Sequence, residues 1–120
     1  MAGYRIDRIS EDIKREIIAE MRELKDPRIQ QGMLTVVRVE VSSDLSFAKV
    51  YVSAMEGIET AQLAVKGLTS ATGHLRREVG RRLHLRKTPE LKFIADDSIA
   101  HGMEIVRKLE TLAKEEEDAH

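Results

Sequence analysis

Apolar residues recur at three- and four-residue steps through the first part of the chain. Ile6, Ile9, Ile13, Ile17, Met21 and Leu24 are separated by Asp7, Glu11, Lys14, Arg15, Arg22 and Glu23. This period predicts an amphipathic helix over residues 5–25. Asp26-Pro27 ends it, because proline disfavours helical geometry at the residue before it, and Gln30-Gln31-Gly32 makes a flexible link. From Leu34 the period changes to two: Val37, Val39 and Val41 alternate with Arg38, Glu40 and Ser42, as in a half-buried strand. Ser42 to Ser46 reads as a turn. A second strand follows from Phe47 to Met55, with Val50, Val52 and Ala54 on one face and Lys49, Tyr51 and Ser53 on the other. So short a connection predicts a hairpin.

Helical spacing returns over residues 58–70, with Ala61, Leu63, Ala64, Val65 and Leu68 as the buried set. It breaks at Ala71-Thr72-Gly73 and resumes with Leu75, Val79 and Leu83. The pattern predicts two helices joined by a kink, with Gly73 supplying the junction angles. On that reading a β-branched residue at position 73 distorts the interhelical angle and lowers stability and binding together. Thr88-Pro89 closes the second helix, and Leu91, Phe93 and Ala95 alternate as a third strand. Asp96-Asp97-Ser98 offers N-caps for a last helix, with Ile99, Met103, Val106 and Leu109 inward. Residues 114–120, including His120, are expected to fray as an acidic tail, leaving an ordered core at 5–113 of a single domain spanning 1–120. The order αββααβα makes an α+β fold, helices packed on one face of a three-stranded sheet and the other face left to water.

Charge changes this picture in one place. Between residues 71 and 92, Arg76, Arg77, Arg81, Arg82, Arg86, Lys87 and Lys92 oppose only Glu78 and Glu90, a net of +5 in a chain whose net charge is −1. Residues 93–120 carry eight acids and three bases. On a helical wheel Arg77, Arg81, His74 and His84 oppose the apolar arc, with Arg76 and Gly80 at its edge. Arg82 lies next to that arc and four residues from Glu78, so an intrahelical ion pair is its expected role. Gly80, at about 1 kcal/mol against alanine inside a helix, implies close approach of another backbone. The candidate nucleic-acid contacts are therefore Arg76, Arg77, Arg81, Arg86, Lys87, His74 and His84, beside the kink Ala71, Thr72 and Gly73. A solvated basic helix face is the bland reading of the same residues.

Other chemistry is excluded or weakly supported. The chain has no cysteine, which rules out disulfides, thiolate metal sites and a cysteine nucleophile. The histidines show no metal-ligand spacing, and Asp96, Asp97 and His101 read more simply as a cap than as an acid–base group. Phosphate-binding loops, nucleophile elbows and dinucleotide fingerprints are missing. The residues thus predict a protein that is not an enzyme and holds no metal or cofactor. Tyr4, Phe47, Tyr51 and Phe93 are too few for a base-stacking platform. No apolar run approaches a membrane span, and the N-terminus lacks a secretory pattern, which together predict a cytoplasmic location. A protein-binding α+β adaptor without RNA contact is the alternative function.

Several segments carry a family resemblance: Lys25-Asp26-Pro27-Arg28, the hairpin sequence from Val39 to Ser53, the stretch from Ser70 to Leu91, and Asp96-Asp97-Ser98-Ile99. The element order resembles type II KH domains, and within them the chain is similar to the ribosome-binding factor A family from about Arg5 to the last helix. The resemblance implies a bacterial, non-catalytic assembly factor. It implies binding to free 30S small ribosomal subunits as a monomer and support of late maturation, including 5′-end processing of 16S rRNA through its 5′-terminal helix, with a role in cold adaptation. The GXXG loop that clamps nucleic acid in standard KH domains is replaced here by Ala71-Thr72-Gly73. Binding energy is then expected from the arginines of the following helix, through phosphate contacts that carry little sequence information.

Overall fold

The computed structural model describes residues 2–119; the reading of His120 lies outside them. Helix α1 (Ala2–Glu23) is followed by a one-turn helix α2 (Pro27–Gln30), strands β1 (Leu34–Val41) and β2 (Phe47–Ala54), helices α3 (Ile58–Ser70) and α4 (Thr72–Leu83), strand β3 (Glu90–Asp96) and helix α5 (Ser98–Asp118). The sheet has the order β1-β2-β3, with β1 and β2 antiparallel and β2 and β3 parallel. The expected α+β order is observed, with α2 added.

Helix α2 occupies part of what reads as a flexible link, and the local chemistry explains it. Asp26 caps the helix by accepting from the Arg28 N–H at 2.9 Å, and Pro27 fills the first helical position, where its missing N–H is harmless. The Arg28 guanidinium folds back on the Asp26 carboxylate at 2.7 Å, which holds that carboxyl below its ordinary range. Ile29 then packs on α3, where a Cβ at Gly67 would lie 2.9 Å from its Cγ1.

The core joins Ile13 and Ile17 of α1, Val36 and Val39 of β1, Val50 and Val52 of β2, Leu68 of α3, Leu75 and Val79 of α4, and Leu91 and Phe93 of β3. In β1 the buried valines are Val36 and Val39; Val37 is half-buried. Pairing with β2 slips between Val36 and Arg38, a bulge that resets the alternation before Val39. In α3 the wide apolar set narrows to Leu68 and the small residues Ala61, Ala64 and Gly67, which let the helix lie close to its neighbours, while Leu63 is exposed.

Helix α5 departs most from expectation. Ile99 is half-buried, but Met103, Val106 and Leu109 do not face a core: no α5 residue is fully buried, and the helix continues through Asp118, inside the segment expected to fray. Its take-off is fixed by Asp96, which accepts from both the N–H and the hydroxyl of Ser98, and by Ser53, whose Oγ accepts from the Ile99 N–H at 3.2 Å. Beyond these contacts the helix projects. The radius of gyration is 17.5 Å, against about 14 Å for a compact chain of this length.

Local contacts generate two expectations. Asp44 closes the hairpin turn by accepting from Ser42 Oγ at 2.8 Å and from the Ser46 N–H and hydroxyl, which lowers its pKa to about 2. A depressed carboxyl stabilises the fold above its ordinary value and ceases to do so as pH falls through the folded one. Asp44→Ala is expected to lower Tm at neutral pH, and its difference from wild type to shrink from about pH 3.8 downward and to vanish below about 2, as read by thermal unfolding across pH. At Gly80, a Cβ would run into the Thr88 hydroxyl. Gly80→Ala is therefore expected to add about 1 kcal/mol of stability in a Thr88→Ala background and less in the wild-type background. Urea unfolding of the four proteins measures this, and equal gains in both backgrounds would contradict the contact.

Candidate nucleic-acid interface

Helix α4 is divided among three neighbours, and the division follows from its period of about 100° per residue. Leu75 and Val79 enter the core and are fully buried. On one flank lies the loop leading to β3. Arg76 donates from Nε to the Pro89 carbonyl at 3.2 Å and from Nη2 to the Thr88 carbonyl at 2.9 Å. Gly80, one turn on, leaves the space that Thr88 fills. The close approach expected at Gly80 is thus made by a threonine side chain of this chain, not by another backbone.

The other flank faces α1. Glu20, only 7% exposed, lies 3.5 Å from His74 Nε2 and 3.9 Å from Arg82 Nε, and Arg82 also reaches Glu16 at 3.8 Å. Arg82 therefore joins two helices, and the expected pair with Glu78 is not formed. Glu78 instead accepts from Arg81 at 2.7 Å, which lowers the Glu78 pKa and raises that of Arg81. The reason is geometric: an inward tilt takes Arg82 toward the two acids of α1, while Arg81 at i+3 stays within reach of Glu78.

What remains of α4 faces solvent: Gly73, Arg77 and Arg81, with His84 ending the strip. His84 is exposed and adopts a left-handed conformation (φ 54°) as the C-cap, with the Leu85 N–H bonding to Gly80 O at 3.0 Å. The loop held by Arg76 then carries Arg86 and Lys87, both exposed, alongside the strip. Among the described residues none of Arg77, Arg86 and Lys87 has an ion-pair partner. Arg77 and Arg81 thus lie on the solvent strip of α4, and Arg86 and Lys87 are exposed on the loop that Arg76 fastens to its flank. The structure withdraws Arg76 and His74 from the set of freely available contacts: Arg76 is committed to two backbone carbonyls, and His74 is turned to Glu20.

The kink itself lies at Ala71. Its N–H bonds to Gly67 O and Leu68 O, and the Thr72 hydroxyl donates to Thr69 O at 2.7 Å, so both residues satisfy the last carbonyls of α3. Gly73 is already helical, has no positive φ, and would place a Cβ in open space. The expectation that Gly73 supplies the junction angle is corrected accordingly. Its missing side chain instead leaves the start of α4, which has no side-chain cap, open to close approach.

Two basic residues that sequence reading passes over lie near the C-terminal end of α4. Arg5 and Arg8 of α1, with the acid Asp12, line a groove with Leu83 and Leu85. They lie far from the basic segment in sequence and are interspersed with acids on α1, so only the packing of α1 against α4 reveals them. On the open face of the sheet, Arg38 stacks over Tyr51 with its guanidinium carbon 4.1 Å from the ring centroid, and it pairs with Glu40 at 2.9 Å. Arg38 is thereby engaged, while Lys49 and Lys92, neighbours in the register of β2 and β3, are exposed on the same face. Among the described residues no cluster of three or more His, Asp or Glu is arranged to hold a metal ion, and no helix is long and apolar enough to cross a membrane.

Comparison with known proteins bears on the whole chain. A family model described as ribosome-binding factor A matches residues 5–109. The ribosome-binding factor A of Clostridium tetani is 46% identical over 119 residues, covering 98% of this chain and 97% of its own length. That of Acetivibrio thermocellus is 49% identical over 104 residues, covering 86% of this chain and 84% of its own. The crystal structure of ribosome-binding factor A from Thermus thermophilus superposes with a TM-score of 0.66 at 32% identity, covering 75% of this chain and 93% of that one. A Thermus thermophilus homology model fitted into a cryo-EM map of a 30S–ribosome-binding factor A complex gives a TM-score of 0.61 at 32% identity, covering 74% and 92%. With the fold in agreement and the similarity running through nearly its full length, this chain belongs to the ribosome-binding factor A family.

Proposed function

We propose that the chain binds the free small ribosomal subunit through the α4 strip and its flanking loop, contacting rRNA phosphates, and that it assists late maturation, including processing of the 16S rRNA 5′ end. The carrying observation is that Arg77 and Arg81 are exposed on α4, and Arg86 and Lys87 on the loop strapped to it, with the open start of α4 at Gly73 on the same strip as Arg77. A relative of similar fold is described in a complex with 30S, which supports the choice of partner. The chemistry is electrostatic and positional. Arginines and a lysine on a rigid helix and a strapped loop fix register on the RNA backbone, and RNA shape supplies selectivity. The exposed Arg81–Glu78 pair contributes little to folding, as exposed pairs generally do, so Arg81 is free to exchange its carboxylate for a phosphate. No step requires a cofactor or metal, and the protein acts in the cytoplasm as a monomer.

An adaptor that contacts only protein is the second reading, favoured by the uncovered apolar face of α5. Salt dependence separates the two, because each phosphate contact releases counterions. Replacing Arg77, Arg86 and Lys87 together by glutamate is expected to abolish co-sedimentation with purified small subunits at moderate salt. Charge-neutral replacement of the same three is expected to reduce the slope of log affinity against log salt by about 2–3. Unchanged binding in both sets would remove this face from consideration.

A second expectation separates binding from folding. Gly73→Ala is predicted to keep or raise thermal stability, since alanine is the better helix former by up to about 1 kcal/mol, while weakening subunit binding several-fold. Lowered stability in that variant would restore a junction role for Gly73. Wild-type binding would show that nothing approaches the start of α4.

A further inference from the structure

Helix α5 carries the most extensive apolar surface that the described fold leaves uncovered. At about 100° per residue, Met103, Ile105, Val106, Leu109 and Leu112 fall within one half of its circumference. Their exposures run from 36% to 60%. An apolar face of that width ordinarily packs against something, and a contiguous exposed one marks an interaction surface. The helix as a whole is acidic, with six acids against three bases, and the acids gather at its end in Glu115-Glu116-Glu117-Asp118.

Charge and geometry choose among the possible occupants. RNA is opposed by the acids, which would face phosphates. A parallel pairing of two copies would abut the two acidic ends. An antiparallel pairing that matches Met103 with Leu112 and Val106 with Leu109 brings the acidic end of each copy against Asp96 and Asp97 of the other. Folding back over the chain's own sheet is opposed by the take-off, where Asp96–Ser98 and Ser53–Ile99 hydrogen bonds fix the direction of the helix. A basic protein surface with an apolar groove satisfies both features at once, the anchors of the helix entering the groove and its acidic last turn meeting lysines and arginines beyond the groove's end.

We propose that α5 is a docking helix for a basic protein. On the reading that this chain works on the small ribosomal subunit, on which this inference rests, the partner is a basic protein of that subunit. The two contacts are then divided by charge: the α4 strip takes RNA, and α5 takes protein.

Photo-crosslinking tests this with the full chain on purified small subunits. A benzophenone amino acid placed at Leu109 or at Leu112 is expected to give an adduct with the same ribosomal protein from both positions, identified by mass spectrometry. Adducts to rRNA or to a second copy of the chain, or no adduct while the chain still co-sediments, would overturn the docking role and leave the α4 reading standing. Failure to co-sediment at all would overturn both. Because α5 contributes nothing to the core, substitution there spares the fold, which circular dichroism checks. Leu109→Ser with Leu112→Ser is expected to weaken subunit binding by about tenfold or more with an unchanged salt slope. Replacing Glu115, Glu116 and Glu117 by lysine is expected to weaken it as well. Tighter binding in that variant would identify phosphate as the partner and overturn the proposal.

Discussion

The hydrogen bonds from Arg76 to the carbonyls of Thr88 and Pro89 set the geometry on which the proposed interface depends. They fasten the start of β3 to the flank of α4, and Gly80 leaves the room for Thr88 to lie there. A charged donor bound to two carbonyls is worth on the order of 1 kcal/mol or more per bond, so this arginine is better explained as a strap than as a phosphate ligand. Its consequence is positional. With the loop fastened, Arg86 and Lys87 are exposed on a segment strapped to the flank of α4.

The opposite flank of α4 is fixed by a different device. Glu20 is a nearly buried acid of α1, approached by His74 and Arg82 from α4. A nearly buried carboxylate is tolerated where a cation such as Arg82 faces it, and here it draws His74 and Arg82, both about half exposed, toward α1. Of the concentrated charge that marks residues 71–92, some ties α4 to its neighbours and the rest is displayed. The same segment thus builds its own scaffold and the surface mounted on it.

Much of this was legible in the sequence, for physical reasons. The three- and four-residue steps of α1 and the alternation of β2 are long and regular, and they mark those elements directly. The concentration of positive charge in residues 71–92 also followed from the sequence alone. Partner choice did not. Whether Glu78 pairs with Arg81 or Arg82 depends on where α1 lies, and Arg5 and Arg8 come near the end of α4 only through that packing. Gly73 and Gly80 illustrate the limit well. Both interrupt a helical pattern, yet one is spared a side chain at an open surface and the other makes room for Thr88, a distinction carried by tertiary neighbours. The β1 bulge hid Val36 from a strict period of two, and the apolar stripe of α5 read as inward because periodicity reports that a face is apolar, not what covers it.

The central claim is that RNA is met by the α4 face and not by the open sheet, whose Arg38 is already engaged with Tyr51 and Glu40. The absence of native cysteines allows a direct measurement. Single-cysteine variants Lys87→Cys, beside the α4 strip, and Lys49→Cys, on the open sheet face, are each loaded with a tethered iron chelate and bound to small subunits. Hydroxyl-radical cleavage of the rRNA at discrete positions from position 87, with little from position 49, is the predicted result. Strong cleavage from position 49 and none from position 87 would contradict the account.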